Sequence, residues 1–393
     1  MLWKRCWMKI AVIGSGTMGH GIAQICSMAG YEVYLNDIKK EILDAAISKI
    51  RWSLDKLVER KKITEKQRDE TLSRIKTTVD LKESVRNADF VFESVFEDVD
   101  LKKRIFRDLD EYAPSHTILG SNTSTIPITI IGEATNRPGQ VIGAHFFNPP
   151  VLQPLMEIIP GEQTSKETIT ATEQLARKLG KEPVILKRDP WGFVSSALFE
   201  HLLRESAWMV YEGEATPAEI DACARYKLGH PMGPLETIDL SGIDISYHTE
   251  FGVRRKIDAK WIEGPHVDMC PLIVEYVKQG KLGVKSGEGF YKYPGPGVFK
   301  KVEIPRELAE KVDPIRLIAS TLNHGAYFVR AGVATRNDLD KIVKLGLGYP
   351  KGIFDYIDEY GADKIVNVLK QLKERYGKPW YEPDPLLIEM AKK

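Results

Sequence analysis

A histidine and a glutamate stand close together in the chain, in a pattern that general acid–base chemistry could use. His145 follows the apolar run 141–144, and Glu157 lies inside a second apolar run, residues 155–159. Burying an unpaired carboxylate costs free energy, so Glu157 is expected to have a partner. A His–Glu pair would remove that cost and would stabilise imidazolium as a proton arrives. The pair predicts an acceptor for a substrate hydroxyl proton, with a purely structural histidine as the alternative.

A glycine-rich segment lies where a nucleotide could bind. Residues 14–19, GSGTMG, directly follow an apolar run and precede a helical pattern. In that context G-x-G-x-x-G is typical of dinucleotide binding, whereas incidental glycines in an ordinary strand–turn–helix are the alternative. The glycines would permit a tight turn, close approach of a pyrophosphate and close packing of helix on strand, and the helix N-terminus would bind the phosphates. We expect cofactor contacts at Gly14, Gly16, Thr17, Met18 and Gly19.

A carboxylate follows the second apolar run, about twenty residues beyond the glycines. Asp37 comes directly after Leu35 and Asn36, where the hydroxyl groups of an adenosine ribose would lie. Its charge would repel a 2′-phosphate, and no arginine follows immediately to accommodate one. Asp37 therefore predicts NAD rather than NADP.

The elements that must hold these residues form an α/β pattern. Short apolar runs alternate with longer amphipathic ones up to about residue 187, as in a mostly parallel sheet covered by helices. Helical spacing with a charged face covers residues 43–60 and 64–74. Together with the glycine motif, this predicts a Rossmann domain over residues 1–188. The candidate strands are residues 9–13, 32–35, 76–78, 90–93, 117–121, 141–145 and 183–186.

Beyond residue 188 helical periodicity dominates, and part of it occurs twice. Identical residues recur 119 positions later at Gly213, Ala215, Thr216, Asp221, Leu228, Gly229, Pro231, Gly233, Ile238, Asp239, Gly242 and Asp244. Many of these are glycines and prolines, which turns require for their backbone geometry. The pattern predicts an all-α C-terminal region with a tandem repeat. We expect a first helical domain at residues 189–293, then a linker and second helical domain at 294–393, with residues 293–305 as a flexible linker.

Charge and cysteine content exclude several classes of protein. The chain has 56 Lys and Arg against 55 Asp and Glu, without long runs of one sign, so no electrostatic case exists for nucleic acid or an anionic membrane. The scattered cysteines, Cys6, Cys26, Cys223 and Cys270, predict reduced thiols in a cytoplasmic protein rather than a metal site or disulfides. No apolar stretch reaches membrane-spanning length. Only Met1 to Met8 precede the first strand, so we expect no secretory signal, and Met8 is an alternative start.

Six motifs, taken in order, resemble those of the 3-hydroxyacyl-CoA dehydrogenases. They are the glycine motif at 14–19, SNTS at 121–124, HFFNP at 145–149, RDPWGF at 188–193, HPMGP at 230–234 and GEGFY at 287–291. Their order and spacing match from about residue 9 to about residue 293. The combination is highly specific.

The resemblance implies roles for individual residues. His145 would be the general base, Glu157 its orienting partner, and Ser124 a hydrogen-bonding group near the substrate 3-oxygen and the nicotinamide. Further NAD contacts would fall on Asp37, Glu97, Lys102, Asn148 and Lys285. Coenzyme A contacts would fall on Ser53, Arg60, Lys61 and Lys62, with Lys102 reaching that ligand too; ordinary solvation is the alternative for these cations.

The chain departs from the family pattern at one catalytic position. Where the family reads Gly-Phe-Ile-Val-Asn-Arg, residues 192–197 read GFVSSA, so Ser196 replaces the usual catalytic asparagine. A hydroxyl can donate one hydrogen bond, but it is shorter and lacks the second group of the amide. The substitution puts the turnover rate and the acyl preference in question.

The resemblance implies reversible NAD-dependent oxidation of an (S)-3-hydroxyacyl-CoA to the 3-oxoacyl-CoA, without a metal. The chain has no room for the hydratase domain of fused relatives, so a separate enoyl-CoA hydratase is expected. The second helical copy would replace a dimer partner, which predicts a monomer with an intrachain pseudo-dimer. Two alternatives are another Rossmann hydroxyacid dehydrogenase, and a catalytically silent NAD- or acyl-CoA-binding relative.

Overall fold

The computed structural model describes residues 8–392, and the chain forms two compact units, Met1–Asp189 and Pro190–Lys393. Residues 1–7, which include Cys6, lie outside the described residues. Within residues 8–392, the helices are too short or too polar to cross a lipid bilayer.

An eight-stranded sheet forms the first unit, in the order β3-β2-β1-β4-β5-β6-β7-β8. Strands β1 to β6 are parallel, β7 runs antiparallel to β6, and β8 runs parallel to β7. The strands are β1 (Lys9–Ile13), β2 (Glu32–Asn36), β3 (Ile75–Thr78), β4 (Phe90–Glu93), β5 (Ile118–Ser121), β6 (Val141–Phe146), β7 (Leu155–Pro160) and β8 (Glu182–Ile185). The predicted Rossmann sheet is confirmed, with one strand more than expected.

The additional strand is β7, which carries Glu157. Its first five residues are all buried, so it lacks the alternation that marks a half-exposed strand. Only residues 147–154 connect β6 to β7, which is too short for the crossover that a parallel strand requires. The chain therefore reverses, and β7 and β8 begin at the edge where β1 to β6 end.

Helices cover both faces of this sheet. The amphipathic α2 buries Leu43, Ala46, Ile50 and Leu54, and Thr64 and Gln67 form a capping box that starts α3. The helices of the first unit are α1 (Gly19–Met28), α2 (Lys40–Glu59), α3 (Glu65–Ser73), α4 (Leu81–Val85), α5 (Val99–Tyr112), α6 (Ile128–Gly132) and α7 (Lys166–Lys178).

The second unit is built from helices. They are α8 (Ser195–Tyr211), α9 (Pro217–Tyr226), α10 (Pro234–Ser241), α11 (Ile243–His248), α12 (Pro271–Lys278), α13 (Pro314–Arg330), α14 (Arg336–Gly346), α15 (Ile353–Tyr360), α16 (Ala362–Tyr376) and α17 (Pro385–Met390). Helices α8 and α13 each have 17 residues and pack against each other.

Several local features recur at the same offset in both halves of this unit. The Asp221 carboxylate accepts a hydrogen bond from the Leu235 amide at 2.9 Å, and the Asp340 carboxylate accepts one from the Phe354 amide at 3.0 Å. Each aspartate thereby ties its own helix to the start of the next one. Positive φ angles recur at the pairs Gly213 and Gly332, Gly229 and Gly348, and Gly242 and Gly361.

The segment between the two halves is bound to the first half at residues 302–304, which differs from the expectation of a linker that is flexible throughout. The Val302 amide donates to Glu236 at 2.9 Å, and the Tyr226 hydroxyl donates to the Ile304 carbonyl at 2.9 Å. Ile304 is buried beside Ala222. Proline and glycine do exclude a helix here, but side chains of the first half satisfy backbone groups that a free linker would leave to water.

Candidate active site

The glycine motif forms the tight turn between β1 and α1. Gly14 has φ 90°, and a Cβ there would lie 2.5 Å from the Ser94 carbonyl oxygen. A Cβ on Gly19 would lie 1.8 Å from the Gly14 carbonyl oxygen. Among the described residues, nothing lies within 4 Å of a Cβ built on Gly16. The loop is thus packed at its two ends and open at Gly16, in front of the first amides of α1.

Asp37 is joined to this loop. Its Oδ2 accepts hydrogen bonds from the amide and the hydroxyl of Ser15, both at 2.8 Å, and its Oδ1 accepts one from the Ile38 amide. The carboxylate therefore lies beside the glycine loop at the end of β2, as expected. Oδ1 has a second lone pair that can accept a further hydrogen bond.

His145 and Glu157 form a buried pair at the same edge of the sheet. The register sets them opposite each other on β6 and β7, and His145 Nδ1 lies 2.8 Å from Glu157 Oε2. Glu157 is fully buried, whereas 9% of the His145 side chain is exposed. An ionised carboxylate can only accept, so when Glu157 is ionised and the ring is neutral, the hydrogen is on Nδ1 and the lone pair is on Nε2. The side chain of Asn122, the residue after β5, accepts a hydrogen bond from the amide of Phe146, the last residue of β6, at 2.8 Å.

Glu97 organises the turn that contains Ser124. One oxygen, Oε1, accepts from the hydroxyls of Thr123 and Thr125 at 2.5 and 2.8 Å and from the amides of Ser124 and Thr125 at 3.1 Å. Burial alone would raise the pKa of Glu97, but the Lys102 charge and these hydrogen bonds lower it overall. Glu97 therefore stays ionised and fixes the backbone of Ser124.

Lys102 lies inside a charged network rather than on the surface. Its Nζ donates to Glu93 Oε1 at 2.7 Å and lies 3.4 Å from Glu97 Oε2, with 1% of the side chain exposed. Burial would lower the pKa of Lys102, but Glu93 and Glu97 raise it. The predicted ligand contacts of Glu97 and Lys102 stay predictions, since both side chains are already engaged in this network.

Glu93 was missed by the sequence argument. It is fully buried at the end of β4 and accepts from Lys102, from the Ser121 hydroxyl at 2.6 Å and from the Val95 amide at 2.7 Å. Its signal was a charged residue inside an apolar run, the same signal that identified Glu157.

The remaining predicted residues belong to other elements of the chain. Asn148 is exposed in the loop between β6 and β7, and Ser53 is half-buried on α2. Arg60 and Lys61 end α2, and Lys61 has φ 55°. Ser196 is half-buried in the first turn of α8, and Lys285 pairs with Asp244 at 2.7 Å, both in the second unit.

The first unit thus brings together a dinucleotide-type loop, a ribose-type carboxylate, an organised Ser124 turn and a His–Glu pair. All lie where strands β1, β2, β4, β5 and β6 end, the edge at which open α/β sheets bind their ligands. The arrangement can accept a proton beside a bound nucleotide.

Sequence profiles match nearly the whole chain. That of the 3-hydroxyacyl-CoA dehydrogenase NAD binding domain matches residues 9–189, and that of the 3-hydroxyacyl-CoA dehydrogenase C-terminal domain matches residues 192–293 and 315–393. A probable 3-hydroxybutyryl-CoA dehydrogenase of Bacillus subtilis is 40% identical over 291 residues, covering 72% of this chain and 97% of that protein.

Two longer alignments include the second helical half. The fatty acid oxidation complex subunit alpha of Shewanella sp. is 33% identical over 98% of this chain, which spans 55% of that protein. The crystal structure of 3-hydroxybutyryl-CoA dehydrogenase from Escherichia coli superposes with a TM-score of 0.86 at 28% identity, covering 99% of each chain.

Proposed function

Because this chain belongs to the 3-hydroxyacyl-CoA dehydrogenase family, we propose that it oxidises (S)-3-hydroxyacyl-CoA reversibly to 3-oxoacyl-CoA with NAD. The observation that carries the proposal is the buried pair of His145 and Glu157, joined at 2.8 Å at the edge of the sheet where the strands end. A pair of this kind at a nucleotide-binding edge suits removal of a hydroxyl proton.

The residues present fit the cofactor. Gly16 leaves open the space that a side chain would fill, and Met18, which precedes α1, provides no side-chain cap, so the first amides of the helix can bind a pyrophosphate. Asp37 would accept hydrogen bonds from the ribose hydroxyls. When bound, NAD accepts the hydride that leaves C3 of the substrate.

His145 then accepts the proton of the substrate hydroxyl group, and Glu157 assists it. As the C3–H bond breaks, His145 Nε2 takes the proton of the 3-hydroxyl group and the C–O bond becomes a carbonyl. Glu157 holds Nδ1–H and stabilises the positive charge that develops on the imidazole. Ser124, held by the ionised Glu97, would donate to the 3-oxygen. In the reverse direction the imidazolium returns the proton to the oxygen.

Lys61 supports a site for the phosphates of coenzyme A at the end of α2. The amides of Lys61 and Lys62 close the helix by bonding to the carbonyls of Val58 and Leu57, a motif that usually places glycine where Lys61 stands. A positive φ strains a residue with a Cβ. A cation at a position that favours glycine is consistent with contact to an anionic ligand.

A spectrophotometric assay tests the proposed function. We expect the protein to consume NADH when acetoacetyl-CoA is added, seen as loss of nicotinamide absorbance. Free acetoacetate is the matched control, since an ordinary hydroxyacid dehydrogenase would reduce it without the coenzyme A group. NADH binding without turnover of acetoacetyl-CoA would instead identify a catalytically silent relative.

Cofactor choice gives a first prediction. We expect wild type to prefer NAD. In Asp37→Asn, the ratio of kcat/KM with NAD to kcat/KM with NADP should fall by about ten- to a hundredfold, because no carboxylate repels the 2′-phosphate. Asparagine can still accept from Ser15, so the loop should keep its shape. Steady-state kinetics with both cofactors measure the ratio, and equal use of NADH and NADPH by wild type would contradict this role of Asp37.

Ser196 gives a second prediction. If its hydroxyl fulfils part of the role of the family asparagine, Ser196→Ala should lower kcat/KM about tenfold, the value of one hydrogen bond, and Ser196→Asn should preserve or raise it. Both variants should bind NADH like wild type in a fluorescence titration. An unchanged kcat/KM in both would show that the reaction does not use this position.

The chemistry also indicates a neighbouring reaction. A 3-hydroxyacyl-CoA arises by addition of water to a 2-enoyl-CoA, so an enoyl-CoA hydratase would supply or consume the substrate. The alignment with a fatty acid oxidation complex subunit is consistent with this coupling.

A further inference from the structure

Lys181 is a buried lysine at the ligand-binding edge of the sheet. Helix α7 ends with Gly180 at φ 73°, and the Lys181 amide closes the helix on the Ala176 carbonyl at 2.9 Å. The chain then enters β8, which begins at the edge where β6 ends because β7 reverses the direction. Lys181 is 7% exposed. The sheet topology thus places the ammonium group of Lys181 beside the loop that follows β6.

That ammonium group holds the loop between β6 and β7, residues 147–154. Lys181 Nζ donates to the carbonyl oxygens of Pro150 and Gln153 at 2.5 and 2.7 Å. The loop itself forms one turn, in which the amides of Leu152 and Gln153 donate to the Pro149 carbonyl. Pro150 is buried, and a buried carbonyl without a donor would be costly. Lys181 supplies that donor.

The same loop reaches the cofactor helix. The ring of Pro150 lies 3.0 Å from the position of a Cβ built on Gly21 of α1. Two residues earlier, Asn148 is exposed. The glycine at position 21 thus lets α1 and the loop lie in close contact, so a shift of the loop would move Asn148 relative to the N-terminus of α1.

We propose that Lys181 is a positioning residue for the cofactor, because its ammonium group holds residues 147–154 against α1 and so sets the place of Asn148. The inference rests on the proposed function and on the NAD contact of Asn148 that the family resemblance implies. Lys181 touches neither substrate nor cofactor and acts only through the loop.

The charge of Lys181 makes this contact sensitive to alkaline pH. Burial lowers the pKa of Lys181 to about 8, opposed by a weaker effect of Cys26 on α1. Burial also raises the pKa of the Cys26 thiol, so the thiol stays neutral. The loop presents carbonyls to the ammonium group, and the neighbouring Lys178 and Glu182 are exposed. Above this pKa, Lys181 still donates, but its hydrogen bonds lose the strength that charge adds.

The free energy of unfolding should not fall as pH rises through the pKa of Lys181. The pKa of about 8 in the folded chain lies below the ordinary value of 10.5. The folded state therefore binds this proton less tightly than the unfolded state, which lowers the free energy of unfolding at neutral pH. This loss disappears as pH rises from about 8 towards 10.5, so the free energy of unfolding increases over that range. Weaker cofactor binding without a lower free energy of unfolding is the signature that separates positioning from a merely structural role.

The test is a titration of NADH binding, followed by nicotinamide fluorescence, from one pH unit below to one above the Lys181 pKa. Wild type should bind NADH about fivefold more weakly at the high end. Lys181→Met should bind NADH at every pH as weakly as wild type does at the high end. Lys181→Arg, which keeps its charge throughout, should bind tightly at both ends, and Lys178→Met on the exposed end of α7 should match wild type.

The outcomes distinguish the two proposals. The role of Lys181 would be overturned, and the proposed function left standing, by either of two results. One is a Lys181→Met variant whose NADH affinity follows the wild-type pH profile, and the other is a Lys181→Arg variant that loses NADH affinity at high pH as wild type does. Should Lys181→Met not fold, the comparison of wild type with Lys181→Arg still decides. Absence of NADH binding by wild type would overturn the proposed function and this inference with it.

Discussion

Replacement of His145 by glutamine is expected to lower kcat by about a hundredfold or more, the usual contribution of a general base. The side-chain amide of the new residue could still donate a hydrogen to Glu157, so the buried carboxylate would keep a partner. It could not accept a proton from the substrate hydroxyl group. Binding of NADH should remain near wild type, because the Gly16 loop and Asp37 lie on other strands.

Glu157→Gln is the matched control for that variant. The amide oxygen can still accept from Nδ1 of His145, so the orientation of the ring is retained while the negative charge is lost. We expect a smaller fall in kcat than for His145→Gln, since only stabilisation of the imidazolium is removed. Single-turnover rates with acetoacetyl-CoA and NADH measure both variants. Comparable losses of NADH affinity and of kcat in His145→Gln would point instead to a structural histidine.

Truncation after Pro294 should produce a dimer or aggregation. The deletion removes α13, which packs on α8. Across this contact, Nδ1 of His201 and Nδ1 of His324 lie 3.0 Å apart; burial lowers the pKa of both far enough to keep them neutral. Helix α8 buries Leu198, Leu202 and Ala207 in the intact chain, and the face that truncation would expose also carries His201 and the carboxylate of Glu205. A second copy of the truncated chain could cover it.

The deletion would also leave a carboxylate without its donors. Glu205 is fully buried and accepts from Arg316 Nη1 at 2.5 Å, from the Tyr381 hydroxyl at 2.7 Å and from Trp380 Nε1 at 3.2 Å. All three donors come from the second half. Removal of one partner from a buried ion pair typically costs about 3–5 kcal/mol, so replacement of Arg316 alone, which leaves Glu205 buried in the intact chain, should destabilise the fold strongly.

Light scattering and thermal unfolding measure these effects, and a point variant isolates the charge. Arg316→Met should lower the melting temperature clearly, whereas Lys370→Met, at an exposed position of α16, should not. A truncated chain that stays soluble and monomeric would contradict the proposed intrachain pseudo-dimer. Dimerisation of the intact protein through its first helical half would contradict it equally.

Some residues could be predicted from the sequence, because short spacing or the free-energy cost of burying a charge specifies them. The glycine turn, Asp37 at the end of the second strand and the partnership of His145 with Glu157 each depend on a few neighbouring residues or on one unavoidable penalty. Such constraints act locally, so a single chain is enough to recognise them. The same holds for the repeated turns of the helical half, where glycine is required for positive φ.

Only the tertiary structure decided how distant groups meet. Glu93 accepts from the Ser121 hydroxyl, 28 positions later in the chain, because β4 and β5 lie side by side. The binding of residues 302–304 to the first helical half depends on partners about 70 residues earlier in the chain. The reversal of β7 also brings Lys181 next to the loop after His145, a contact between residues about 30 positions apart. Physically, a local motif fixes backbone conformation, whereas the partner of a buried charge is chosen by which elements the whole fold brings into contact.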